Sequence, residues 1–458
     1  MPAEARLRRQ LGLAAVAALV MGDMLGSGIF FTPGELASVA RSPWQVYSFW
    51  GLCGVITLCG ALTLAELTAL LPRAGATYHI IREGFGPFWG FLRAWVEMCV
   101  SGPGSVAGVA VVFGEFTARL FGGSLSLPAT AWGAAAILMF TVINLLGVRW
   151  GGRTQIALTA IKITGLLFLI TGSLLLADRV APSAAQSAVA ASAGLADFIR
   201  LVGLGVAAVL FTYDGWVDVS HVAGEVEEPR KNLPLGLGLG VAAITLLYLV
   251  VNHAYLRVVP LETMREAPTT IAASVALVTF GPKGGQVLNG LIMLSILGAL
   301  GGLVMTIPRL YYTVAAQYAG ETAGSGMSRL FQALARVSPE RAVPAPSILF
   351  TAALSIAALV FFGTFRRIVT YFVVPLHVSN ILVVASVFRL RFRSFGEEPV
   401  HPRYLAPGYP VLPAVYILVI SLFLVSAIFY NPLDTFIGIA MTATGIPVYL
   451  WIARSGRR

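Results

Sequence analysis

Eight stretches of this chain run 19 to 30 residues without an Asp, Glu, Lys or Arg: 42–65, 120–148, 232–256, 284–308, 342–365, 368–388, 404–433 and 435–453. A helix advances about 1.5 Å per residue, so roughly 20 apolar residues cross the hydrocarbon of a bilayer. In hydrocarbon every backbone N–H and C=O must be satisfied within the protein. A spanning segment is therefore a helix or a strand of a closed barrel. The alternation of barrel strands is missing here, so the stretches predict an all-α integral membrane protein. Composition agrees. Of the 458 residues, 57% are hydrophobic and 11% charged, against about 25% charged in soluble domains. An ordinary soluble enzyme, a disordered chain and a disulfide scaffold are excluded on that ground.

Four further apolar segments, at about 11–39, 88–118, 154–177 and 198–226, each hold a charge in or near the middle. That predicts twelve transmembrane helices, four of them interrupted. Charge inside hydrocarbon is costly and is usually functional. Cys53, Cys59 and Cys99 all lie in predicted spans and read as small core residues. The first span begins at about Leu11 and is too long for a signal-peptide core, so it is expected to be retained.

The net charge of +10 reports topology rather than nucleic-acid binding. With both termini cytoplasmic, twenty Lys and Arg fall on inner segments and nine on outer ones. Arg366–Arg367 stands on the wrong side of that count. Residues 1–458 are expected to form one transmembrane domain with no soluble domain attached. The longest connections are 178–197 and 257–283 outside and 317–345 inside. Within 257–283, the apolar run 268–280 is too short to span and suits a re-entrant or interfacial helix.

Two spans are interrupted in matching ways. Span one reads Met21-Gly22-Asp23-Met24-Leu25-Gly26-Ser27-Gly28-Ile29-Phe30, and span six reads Phe211-Thr212-Tyr213-Asp214-Gly215-Trp216. Glycine weakens a helix. The breaks fall about 187 residues apart, in the first helix of spans 1–5 and the first of spans 6–10. Breaks at corresponding positions of two halves point to a transporter site built on an inverted repeat. The repeats would be 11–177 (helices 1–5) and 198–388 (helices 6–10), followed by helices 11 and 12 in 404–453. A broken helix exposes N–H groups on one half and C=O groups on the other. An amino acid answers both, with its carboxylate at a half-helix N-terminus and its ammonium on free carbonyls. Gly26, Ser27 and Gly28 form the expected carboxylate cradle, and the carbonyls of Phe211 to Asp214 the ammonium acceptors.

Lys162 is the only charge between Arg153 and Asp178, far from either end of span five. It should face the interior as a fixed cation replacing a coupling ion, or as a proton carrier. Asp23 and Asp214 could be proton-linked, attract a cationic substrate, or cap a half-helix end. Asp214 and Asp218, four apart, would share a helical face. Glu66 and Arg93 read as interfacial or packing residues. The five histidines are scattered, with no metal spacing and no nucleophile motif, so no cofactor, metal or enzyme chemistry is expected. Gly236, Gly238 and Gly240 lie within a span and form no nucleotide loop.

The motifs resemble those of a known family. Leu64-Ala65-Glu66-Leu67 with Leu71-Pro72-Arg73-Ala74-Gly75-Ala76-Thr77-Tyr78 and Phe85-Gly86-Pro87 resembles the second helix and first inner loop of amino acid permeases. Gly26-Ser27-Gly28-Ile29-Phe30 is similar to their first-helix signature. Phe211 to Trp216, leading to Glu225-Val226-Glu227-Glu228-Pro229-Arg230-Lys231-Asn232-Leu233-Pro234, is similar to their sixth helix and its exit. Asn144 to Lys162 resembles the fourth-to-fifth helix stretch. The family is the amino acid–polyamine–organocation superfamily, nearest its L-type amino acid transporter branch.

The resemblance implies a five-plus-five inverted repeat of the LeuT type, with discontinuous helices 1 and 6 and two extra C-terminal helices. It places substrate at Gly26, Ser27, Gly28, Ile29, Phe211, Thr212, Tyr213, Asp214 and Gly215. Phe211 matches the aromatic that closes over substrate, Trp216 and Glu225 stand at gating positions, and Lys162 matches a lysine occupying a sodium site. Lys162 would bridge helices one and five toward Gly298–Gly302. Asp23 and Asp214 stand where many members of the branch are uncharged. The outer loop 119–127 has no Cys, so the disulfide to an accessory subunit seen in animal relatives cannot form there.

The expected function is sodium-independent secondary transport of L-amino acids, neutral ones foremost, by exchange or facilitated uptake in a bacterial-type inner membrane. The rivals are proton-coupled uptake of cationic amino acids or polyamines and, in a different class, an ion channel.

Overall fold

The computed structural model describes residues 7–26, 28–121, 127–176, 205, 209–210, 212–266, 271–319, 326–363, 365–393, 404–430 and 432–455. Its helices are α1 Leu13–Met24, α2 Gly28–Val39, α3 Pro43–Leu70, α4 Ala76–Phe85, α5 Pro87–Val96, α6 Gly102–Phe121, α7 Ala129–Leu145, α8 Val148–Leu175, α9 Pro229–Val258 and α10 Leu261–Glu266. They continue as α11 Ile271–Phe280, α12 Pro282–Tyr318, α13 Gly326–Leu334, α14 Ala345–Phe362, α15 Phe365–Ala385, α16 Val387–Leu390, α17 Val411–Tyr430, α18 Pro432–Ala443 and α19 Gly445–Ser455. A π-helical turn, Glu97–Ser101, joins α5 to α6, and a 3₁₀ helix, Asp218–Glu225, precedes α9. Among the described residues the one β contact is an isolated bridge between Leu11 and Val226.

Among the described residues, seven helices are long and apolar enough to cross a membrane: Pro43–Leu70, Pro87–Ala118, Val148–Leu175, Pro229–Val258, Pro282–Tyr318, Ala345–Phe362 and Thr435–Arg454. α3 begins with ordinary capping chemistry. Ser42 Oγ accepts the N–H of Gln45 at 3.4 Å, and Pro43, which lacks an N–H to orphan, opens α3. α11 has ten residues, about 15 Å at the helical rise. It is too short to span, as expected of 268–280. The 178–197 loop lies outside the described residues.

Large apolar side chains face outward on many helices. Val142, Phe168, Leu175, Leu246, Phe361 and Leu422 are all more than half exposed. A water-soluble molecule rarely leaves so wide an apolar surface, which suits lipid contact. The inside is equally apolar. α1 is enclosed by α8, α9 and α12, and α9 lies along α3. Trp50, Tyr213 and Tyr248 form a fully buried aromatic cluster with centroids 5.1 to 5.9 Å apart. This packing holds α1, the half-helix that carries the site, at the centre of the molecule.

Three expectations change. Arg93 is not interfacial; it is 2% exposed and paired with Glu97. Glu66 is fully buried, accepting the Ala406 N–H at 2.8 Å with Arg391 3.6 Å away. Cys53 and Cys59 are buried as expected, whereas Cys99 is exposed.

Candidate functional site

The first predicted span is two helices. α1 ends at Met24 and α2 begins at Gly28. Between them the Gly26 N–H turns back to Met24 O at 2.9 Å, so Gly22 O loses its helical partner. The second break is marked by Gly215, at φ 103°. L side chains avoid that region, which explains the glycine. The two breaks touch. A Cβ on Gly215 would stand 2.9 Å from the carbonyl carbon of Asp23, and one on Gly28 would stand 2.6 Å from Thr212 Oγ1. Thr32 and Thr212 share a buried hydroxyl hydrogen bond at 2.7 Å, tying the outer half-helix α2 to the segment before Gly215.

Side chains from distant helices satisfy the freed carbonyls. Lys162 Nζ donates to Gly22 O at 2.8 Å and Leu25 O at 2.9 Å. Ser295 Oγ donates to Leu25 O at 3.0 Å or Gly26 O at 3.2 Å. Tyr248 Oη donates to Met24 O at 2.7 Å or Thr212 O at 3.3 Å. A carbonyl left bare in hydrocarbon would cost several kcal/mol, so these contacts are what permit the break. The Lys162 stem passes over Gly298, where a Cβ would meet its Nζ at 2.6 Å. This is the bridge from helices one and five to helix eight that the sequence predicts.

The acids fall into a cluster beside the breaks. Asp23 lies against Gly302, where no Cβ could fit, and neither of its carboxylate oxygens has a hydrogen-bond partner. It does not cap a half-helix. Asp214 stands at the turn beside Gly215, and the 3₁₀ helix that follows has no side-chain cap. Asp214 and Asp218 do not share a helical face, because Gly215 turns the chain between them. The 3₁₀ register instead sets Asp218 over His221, Oδ1 to Nδ1 at 3.9 Å. Opposite, Glu97 accepts from Arg93 at 2.6 Å and from Ser101 Oγ at 3.0 Å, within the π turn. Such turns are frequent at functional sites.

On one side of the cluster a buried ion pair packs the segments together. Arg309 Nε donates to Glu225 Oε1 at 2.6 Å, with both side chains fully buried. Glu225 O accepts the N–H groups of Gln10 and Leu11, and the Glu227 N–H returns to Leu11 O at 2.9 Å. Arg265 caps the last turn of α2, donating to Ala37 O at 2.9 Å and Ala40 O at 2.6 Å. A cation at a helix C-terminus also complements its dipole.

The structure thus brings together Gly26, Gly28, Thr212, Asp214, Gly215, Lys162 and Asp23. Ile29 is fully buried behind them. Ser27 and Phe211 lie outside the described residues. Tyr213 turns its ring away from the break, with Oη donating to Trp50 O at 3.0 Å, so only its backbone faces the site. Trp216 packs edge-on against Tyr416 at 5.8 Å, a packing position. Glu225 is fully buried in its pair with Arg309. Sequence reasoning missed Ser295, Tyr248, Thr32, Arg309 and His221. Of these only Arg309, a charge near the inner end of a span, carried a signal; hydroxyls in apolar helices are too common to single out.

A family model described as amino acid permease matches residues 11–453. The serine/threonine exchanger SteT of Bacillus subtilis (strain 168) is 28% identical over 443 residues, covering 97% of this chain and 96% of that protein. The human cystine/glutamate transporter is 26% identical, covering 97% of this chain and 85% of its own length. The mouse large neutral amino acids transporter small subunit 2 is 27% identical, with 97% and 81% covered.

Proposed function

This chain belongs to the amino acid permease family, and from that premise we propose that it moves L-amino acids across a membrane by alternating access and without sodium. The observation that carries the reading is the meeting of the two helix breaks, Gly215 against Asp23 and Gly28 against Thr212. It supports a binding site made of backbone, which suits the carboxylate and ammonium that all amino acids share. Sodium independence is supported by Lys162. Its ammonium already occupies Gly22 O and Leu25 O, carbonyls a bound cation would need. Twelve spans in a five-plus-five inverted repeat, both termini cytoplasmic and a bacterial-type inner membrane complete the proposal.

The relatives' names cover serine and threonine, cystine and glutamate, and large neutral side chains. Family membership therefore leaves the side chain open. Neutral substrates are our first reading. A second, cationic amino acids or polyamines taken up with protons, is favoured by Asp214, a partly exposed carboxylate at the break itself. We also propose that the chain works without a disulfide-linked accessory subunit, since 119–127 holds no Cys.

Radiolabelled uptake into proteoliposomes, with and without counter-substrate, tests the function. Saturable uptake without single-channel current is expected, and competition among leucine, serine and lysine separates the two substrate readings. Failure to take up any amino acid sinks the proposal, and single-channel current would make the protein a channel.

A further inference from the structure

We propose that Asp218 and His221 form a proton site that couples amino acid movement to proton movement. The inference rests on the transport reading above and adds a coupling ion to it.

The first observation is geometric. Asp218 and His221 are three residues apart on a 3₁₀ helix, where positions i and i+3 eclipse. Asp218 Oδ1 lies 3.9 Å from His221 Nδ1. That is an ion-pair distance and longer than a hydrogen bond, so a small rotation of the carboxylate makes or breaks the contact. His221 is fully buried, and its Nδ1, aimed at the acid, has no hydrogen-bond partner. Its Nε2 meets Thr77 Oγ1 at 3.3 Å, and its backbone carbonyl accepts the Gly75 N–H at 2.9 Å. The imidazole is therefore held in place with one nitrogen toward Asp218 and the other toward the inner-loop helix α4. An imidazole so placed can take a proton at one nitrogen and release one at the other.

The second observation is charge. The groups acting on Asp218 are Asp23, Glu97, Asp214 and Arg93, and those acting on His221 are Glu97 and Arg93. Arg93 is committed to Glu97. Lys162 faces Asp23 and spends its hydrogen bonds on Gly22 O and Leu25 O. Arg73 borders the same helix at Gly224. Arg309 of α12 is paired with Glu225, and Glu66 of α3 with Arg391 and Ala406. His79, Arg82 and Glu83 of α4 lie beyond Thr77, and Arg230 and Lys231 stand at the start of α9. Asp23, Glu97, Asp214 and Asp218 thus face Arg93 and Lys162, with the titratable His377 acting on Asp214. Crowded like charges disfavour ionisation of every carboxylate at once, so the cluster has a place for a proton beside His221. A cationic substrate at Asp214 would displace that proton to Asp218 and His221, whereas a neutral one would travel with it.

The third observation ties the pair to the gate. The helix carrying Asp218 and His221 ends at Glu225, which closes the inner side on Arg309, Gln10 and Leu11. Opening that end must move the helix, and with it the distance from His221 to Thr77.

The test uses proteoliposomes loaded with a trapped pH dye, with labelled counterflow measured in parallel on leucine, serine and lysine. The wild type is expected to change internal pH as amino acid moves. Asp218→Asn and His221→Gln are expected to lose the pH change per amino acid moved, and Thr77→Val to weaken it. Reading the ratio keeps the result independent of how much protein survives mutation. Wild-type net uptake with no pH change, or counterflow with no net uptake at all, overturns the inference and leaves the transport reading standing. So does an unchanged ratio in both Asp218→Asn and His221→Gln. Absence of counterflow for every amino acid overturns the transport reading and this inference with it.

Discussion

At the scale of residues, the site is decided by which side chain answers each orphaned carbonyl. Leu25 O has two donors, Lys162 and Ser295, whereas Gly22 O has Lys162 after Gly26 N–H turns to Met24 O. Lys162→Ala therefore orphans Gly22 O, at about 1–3 kcal/mol for an unsatisfied buried acceptor. It also leaves Asp23 without its nearest cation. We expect exchange to fall by roughly tenfold or more, the factor that about 1.4 kcal/mol brings. Initial rates in proteoliposomes measure it, and wild-type flux in the mutant would return Lys162 to a packing role. Lys162 and Asp23 were legible in the sequence because a charge in an apolar span has few explanations. Ser295, Tyr248 and Thr32 were not, because a hydroxyl in such a helix usually bonds its own turn, as Thr63 does to Cys59 O at 2.8 Å.

At the scale of elements, the half-helices are the working parts, and each is held at its far end by one charged group. Arg265 caps α2 outside, and the Arg309–Glu225 pair closes the 3₁₀ helix inside. Removing one partner of a buried pair costs about 3–5 kcal/mol, because the other charge is left uncompensated. Glu225→Gln should therefore favour an open inner end. Ser220, fully buried five residues earlier in the same 3₁₀ helix, supplies the reporter. In a cysteine-free background, Ser220→Cys should react with a maleimide faster when Glu225→Gln is present; equal rates would make the pair a packing element. The breaks themselves were legible as glycines in apolar runs. The 3₁₀ winding of Asp218–Glu225 was not. An α-helical reading pairs Asp214 with Asp218, whereas the tighter turn pairs Asp218 with His221.

At the scale of the molecule, an apolar exterior surrounds an apolar interior, and polar groups gather where the two breaks meet. The excess of arginine on predicted inner segments gives the orientation its test. Lys283 and Arg329 are both exposed, on predicted opposite sides. Lys283→Cys should label from outside intact cells and Arg329→Cys only after the membrane is opened; the reverse pattern would invert the topology. The sequence by itself determined the environment, the helical class, the positions of the breaks and the charges that matter. Hydrocarbon penalises every unpaired polar group, so composition alone carries that information. Only the tertiary structure decided who pairs with whom. The partners of the first break come from residues 137 to 270 positions away, and several are ordinary serines, threonines and tyrosines. Their role follows from helix packing, which places a common hydroxyl opposite a bare carbonyl, and no local pattern along the chain records that meeting.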